Sequence, residues 1–177
     1  MTTDEAALDR RLFPAGPPRS DDRTTQSLRD QYRLLVESSE RVVARRQTAN
    51  TFFLSINSAL LIFAGILLRE GDLLSLVGGV ATVGLSLMGL FICFVWWRMV
   101  TSFRQLNTAK FQIIHLLEGH LPAAVFAAEW DALGEGQDPS LYRPFTRLET
   151  QIPVGLMALY GSTAAAGIVL AMLTAIR

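Results

Sequence analysis

Residues 51–68, TFFLSINSALLIFAGILL, and residues 73–97, LLSLVGGVATVGLSLMGLFICFVWW, decide the class of this protein. Between Thr51 and Trp97 the only charges are Arg69, Glu70 and Asp72, which sit in the four residues joining the two runs. Uninterrupted apolar runs of about 18 or more residues are read as membrane-spanning helices. At 1.5 Å per residue the first run spans roughly 27 Å, the short end for a hydrocarbon core of about 30 Å. The second ends in Trp96 and Trp97 beside Arg98, an aromatic belt next to a cation that can snorkel. Four residues allow only a tight turn, so the two spans are expected to form an antiparallel hairpin.

Working outward, residues 152–176 form a third uncharged run that opens with Pro153. The rest of the 177-residue chain carries nearly all of its 16 basic and 16 acidic side chains. A formal net charge of zero argues against nucleic-acid binding, which calls for a basic excess. The single cysteine, Cys93, excludes an internal disulfide framework and a cysteine-rich zinc site. The N-terminus has no apolar core of a signal peptide. Arg41, Arg45 and Arg46 precede the first span, Arg98, Arg104 and Lys110 follow the second, and Arg143 and Arg147 precede the third. Only Arg69 and Arg177 lie on the other side. The positive-inside rule then places the N-terminal arm and residues 98–151 in the cytoplasm and the C-terminus outside.

The flanks read as helices. Residues 1–23 hold Pro14, Pro17 and Pro18 among scattered charges and are expected to be disordered, with Ser20, Asp21 or Asp22 as a helix cap. From there Leu28, Tyr32, Leu35, Val36, Ser39, Val42 and Val43 recur at three- and four-residue steps. No proline or glycine separates them from the first span, so one helix is predicted over about 24–68: a cytosolic amphipathic part (24–50) and a span (51–68). The second span likewise continues through Val100, Phe103, Leu106, Ile113, Ile114 and Leu117 until Gly119. A short amphipathic element starts at Pro122, residues 134–139 read as a loop, and residues 146–151 lead into the third span. The fold class expected is all-α integral membrane, with residues 98–151 a cytosolic helical segment.

Chemistry is harder to find. Ser75, Gly79, Thr82, Ser86, Gly89 and Cys93 fall at 4-3-4-3-4 spacing along the second span. Such a stripe is either a helix-packing seam or the small polar lining of a pore. Ala158, Ser162 and Ala165, with Gly161 beside them, mark a face of the third span. Asn57 lies mid-span and needs a hydrogen-bonding partner in hydrocarbon. Arg45, Arg46 and Asn50 before the first span, and Arg104, Asn107 and Lys110 after the second, form a membrane-proximal polar set, with Glu129 and Glu149 as counter-charges. Lipid-headgroup contact explains these residues as well as a designed network does. His115 and His120 are five residues apart and do not share a helix face, so no metal site is expected. No catalytic or nucleotide-binding motif occurs and no cofactor is called for.

Three blocks resemble a known family. Tyr32-Arg33-Leu34-Leu35-Val36-Glu37 with Arg45-Arg46-Gln47-Thr48-Ala49-Asn50-Thr51-Phe52-Phe53-Leu54 is similar to the first block of the RipA-like family of small bacterial inner-membrane proteins. Ser102 to Phe111, with Leu121-Pro122 and Glu129-Trp130, resembles its second block, and Thr146 to Glu149 followed by Ile152-Pro153 its third. Phe103 stands where that pattern has tyrosine. The resemblance implies a homo-octamer without enzymatic activity whose partners are its own copies and membrane lipids. Two functions follow as expectations: an oligomeric scaffold with a structural or stress-response role, or a gated pore or membrane-disrupting effector triggered through its cytosolic helices.

Overall fold

A computed structural model describes residues 3–18, 21–70, 76–138, 140–142 and 146–175. Those residues form five α-helices and no strand: α1 (Thr3–Leu12), α2 (Asp22–Glu70), α3 (Leu76–Glu118), α4 (Val125–Ala132) and α5 (Thr146–Ala175). The all-α expectation holds among them. Three helices, α2, α3 and α5, are long and apolar enough to cross a membrane.

The helix α2 runs without a break from the charged residues into the apolar run, because nothing between Ala44 and Thr51 interrupts its backbone ladder. Asp21 caps it, accepting the Thr24 N–H at 3.2 Å, and hydrogen bonding from the Thr24 side chain, aided by this backbone donor, holds the Asp21 carboxyl below its ordinary pKa. Ser20, another cap candidate, lies outside the described residues, and Asp22 is already helical. The helix α3 is equally continuous and stops at Glu118, just before Gly119.

Three expectations differ from the structure. Residues 1–23, read as disordered, contain α1. Ala6, Ala7 and Leu8 are strong helix formers, and Arg10 and Arg11 occupy the last turn, where the helix dipole favours cations. The three prolines that suggested disorder all follow the helix. The element expected from Pro122 begins only at Val125, and the loop after it holds a turn, Gly134–Gly136, in which Glu135 takes a left-handed backbone (φ 53°). Finally, residues 146–151 are part of α5 itself, so Pro153 lies inside the helix. A proline in such a place costs one backbone hydrogen bond, a gap that membrane helices tolerate when packed against neighbours.

The chain divides into two compact units, Met1–Ala44 with Arg104–Pro144, and Arg45–Phe103 with Phe145–Arg177. In the first, Leu28 and Val42 of α2 and Ile114 and Leu117 of α3 are buried. In the second, Phe53, Trp96 and Val100 form the core with Ile92, Val95 and Leu156 against them. The Phe53 and Trp96 rings stack with centroids 5.9 Å apart and planes 9° apart. The outward faces of this unit carry Phe52, Ile62, Phe63, Val77, Leu87 and Phe91, large apolar side chains that suit lipid and not water.

Candidate functional site

In the second unit the polar side chains form a ladder across α2, α3 and α5. At its charged end Asn50 bridges all three helices. Its Oδ1 accepts the Trp96 indole N–H at 2.9 Å, and its Nδ2 donates to Glu149 Oε1 at 3.3 Å. Arg46 Nε lies 3.4 Å from Glu149 Oε2, an ion-pair distance without hydrogen-bond geometry, and both atoms are buried. About two turns further along α2, Asn57 is 1% exposed. Its Nδ2 donates to the Phe53 carbonyl at 2.8 Å, and its Oδ1 accepts the Cys93 thiol at 3.1 Å. Both contacts spend the amide inside the chain, which is how a polar group is held in hydrocarbon.

The small stripe of α3 faces α5. A Cβ placed on Gly89 would stand 2.5–2.7 Å from the Tyr160 ring, so only glycine lets the ring lie there. Ser86 Oγ and Thr163 Oγ1 are 2.9 Å apart; Thr163 donates to the Tyr160 carbonyl, which leaves Ser86 as the donor between the two. At Gly79 an added Cβ would be 3.2 Å from the Ala171 Cβ and 3.5 Å from the Gly167 carbonyl oxygen. Residues 79, 86 and 89 thus meet 171, 163 and 160, an antiparallel crossing through small side chains. Thr82 turns its hydroxyl back to the Gly78 carbonyl at 2.9 Å. Between these helices lies a half-open cavity of about 260 Å³, lined by Leu61, Ala64, Thr82, Ser86, Leu159 and Thr163 among others. The buried Tyr160 hydroxyl has no hydrogen-bond partner among the described residues.

The first unit holds a different polar centre. Glu118, the last residue of α3, is 1% exposed. Its Oε1 accepts the Tyr32 hydroxyl at 2.8 Å and the Phe126 N–H at 2.8 Å, while Oε2 accepts the Ala127 N–H at 2.9 Å. One carboxylate therefore caps the N-terminus of α4 and ties it to α2 and α3. Burial works against the charge, but the two backbone donors, the Tyr32 hydroxyl and nearby His115 outweigh it, and the pKa of Glu118 falls below its ordinary value. Burial, and then the same carboxylate, push Tyr32 up to about 12. Phe126 packs edge-on to Phe111, with ring centroids 5.7 Å apart. The N-terminal segment joins at His120, whose Nε2 lies 3.8 Å from Asp9 Oδ1 and whose ring meets Phe13 edge-on. A pairing of Glu118 with Tyr32, 86 residues away, has no signature in sequence spacing.

Of the other residues singled out from the sequence, Arg45, Arg104 and Glu129 are exposed, and Ser75 and Arg143 lie outside the described residues. Lys110 Nζ donates to Ser38 Oγ at 2.6 Å, and Asn107 Oδ1 is buried without a hydrogen bond among the described residues. Arg46, Asn50 and Glu149 come together, and the sequence missed that Trp96 completes the group. Ala158, Ser162 and Ala165 of α5 point outward and are exposed. Among the described residues no three His, Cys, Asp or Glu side chains converge in a way that holds a metal.

Three membrane-length helices knit by small residues and spent polar groups describe a membrane protein built for packing. The profile of the octameric membrane protein family (8xMP) matches residues 29–172. The chain belongs to this octameric membrane protein family. That agrees with the small octameric family to which the sequence blocks pointed. The 8xMP match takes in all of α3 and α4 and most of α2 and α5, so both polar centres lie inside it, and α1 lies before it. No curated protein and no solved structure matches the chain.

Proposed function

We propose that this chain assembles into a homo-octamer in the bacterial inner membrane and acts there as a non-enzymatic scaffold with a structural or stress-response role. In this reading the apolar parts of α2 and α3 are an antiparallel hairpin. The unit built from Met1–Ala44 and Arg104–Pro144 is cytosolic, the C-terminus is external, and the octamer's surroundings are lipid. One observation carries the scaffold over the pore. The stripe that would line a path, Gly79, Ser86, Gly89 and Cys93, is buried against α2 and α5 of the same chain, with its polar atoms spent there. A pore lining has to keep such groups free for water or ions.

A second reading, a gated pore or membrane-disrupting effector, draws its support from the half-open cavity beside Thr82 and Ser86. Purified protein in proteoliposomes separates the two, with ion and dye flux and particle mass measured on the same sample. The scaffold reading expects a mass of eight 19.5-kDa chains plus detergent or lipid, and tight vesicles. Flux that disappears in Thr82→Leu/Ser86→Leu establishes the pore instead, and a monomeric mass removes both readings.

A further inference from the structure

The helices α3 and α5 each carry a second face, turned away from the seam between them. On α3 that face is a ridge of large apolar side chains, Val80, Leu87, Phe91 and Phe94, with Phe91 67% exposed, interrupted by Gly84. These residues recur at three- and four-residue steps and so share one side of the helix. On α5 the outward face is a groove of small residues at the same spacing, Gly155, Ala158, Ser162 and Ala165, and all four are exposed. Ser162 donates its hydroxyl to the Leu159 carbonyl at 2.8 Å, so its polar group is spent within its own helix. Nothing inside the chain requires the glycines: an added Cβ on Gly84 or Gly155 would meet no atom within 4 Å. A lipid-facing surface does not require them either, because acyl chains accommodate large side chains, whereas a close helix neighbour needs small ones.

Ridge and groove also lie at matched depths. Within the chain Gly89 lies under Tyr160, Ser86 pairs with Thr163 and Gly79 abuts Ala171, which fixes the level on α5 of each residue of α3. On that scale Phe94 is level with Gly155, Phe91 with Ala158, Leu87 with Ser162 and Gly84 with Ala165. The largest side chains of one face thus stand at the height of the smallest of the other.

We infer that the Leu87–Phe94 ridge of α3 docks in the Gly155–Ala165 groove of α5 in a second copy of this chain. This contact rests on the octameric reading above and adds the surface through which the copies join inside the membrane. Copies related by an axis along the membrane normal sit at one height, so faces that match at equal depth are the ones that can meet. The two faces are different, as a head-to-tail contact that closes a ring requires. In lipid, helices associate through close van der Waals packing, which bulky rings seated over glycine and alanine provide. Lipid as the occupant of the groove would need no ridge of complementary size at the same depth.

The test uses the full-length protein in detergent, with Cys93→Ser removing the native thiol and keeping a hydroxyl donor for Asn57. In that background Phe91→Cys/Ala158→Cys should give, on mild oxidation, a ladder of disulfide-linked chains on denaturing gels, because each copy carries both halves of the contact. Phe91→Cys/Val169→Cys uses the same two faces about three turns out of register and should give none. Ala158→Phe fills the groove and should reduce the octamer to smaller particles, and adding Phe91→Ala should restore it. These side chains point out of the chain, so folding is not at stake. An octamer without a ladder, a ladder from both cysteine pairs, or an Ala158→Phe particle of unchanged mass overturns the docking, gives the groove to lipid and leaves the octamer standing. Loss of mass that Phe91→Ala does not restore overturns the pairing of ridge with groove. A monomer without any substitution overturns the octameric reading itself.

Discussion

Glu118 ends α3, where the helix dipole disfavours a negative charge, so its environment has to compensate. It does so because the same carboxylate lies at the start of α4, where two N–H groups would otherwise lack acceptors. Tyr32→Phe removes one of three hydrogen bonds and should cost about 1 kcal/mol, whereas Glu118→Gln turns an amide N–H toward a backbone donor and should cost about 2 kcal/mol or more. Because the folded pKa of Glu118 is lowered, its contribution is present above the ordinary carboxylate value of 4.5 and is lost as pH falls through the folded value. The raised pKa of Tyr32 acts at the other end: its contribution is full below 10 and disappears as pH rises through about 12. Unfolding midpoints of the detergent-solubilised protein across pH test both. Glu118→Gln should flatten the acid limb, and an acid limb identical to that of the unsubstituted protein would disprove this role of Glu118.

Among elements, α2, α3 and α5 are joined by contacts of two kinds. Small residues set the distance of approach: Gly89→Ile drives a branched side chain into the Tyr160 ring, so α3 and α5 should separate and the oligomer should lose mass on a sizing column. Polar contacts set the register: Glu149→Gln leaves the Arg46 cation buried without its counter-charge and should cost about 3 kcal/mol, while Arg46→Met/Glu149→Leu together should be close to neutral. A double substitution as damaging as the single one would show that the pair contributes net stability. The sequence already carried the lengths of α2 and α3, because nothing in 24–68 or 76–118 stops a helix. It misjudged α1, since averaging composition over 1–23 mixed a helix-forming decapeptide with the proline segment behind it. It also started the third helix late, because loss of charge marks where lipid begins and not where helical backbone begins.

For the whole molecule, membrane packing and contacts between exposed charges respond differently to salt. At 1 M ionic strength the Debye length shrinks to about 3 Å, which screens exposed charge but leaves van der Waals packing in hydrocarbon untouched. Raising salt should therefore leave the particle mass unchanged. Loss of mass with salt would shift the main subunit contact out of the membrane. The sequence by itself determined that this is an all-helical membrane protein with three apolar helices, because segregation of charge from apolar residues is a property of the chain read in order. It also singled out the seam residues Gly79, Ser86, Gly89 and Cys93, since helical spacing alone puts small residues on one face. What that face meets was decided only by tertiary structure. Spacing gives a direction around a helix and never the identity of the neighbour, so Gly89 under Tyr160, Asn57 against Cys93, and Asn50 between Trp96 and Glu149 had no local signature. The same holds for Glu118: a carboxylate becomes a cap only when another helix brings its free N–H groups to it.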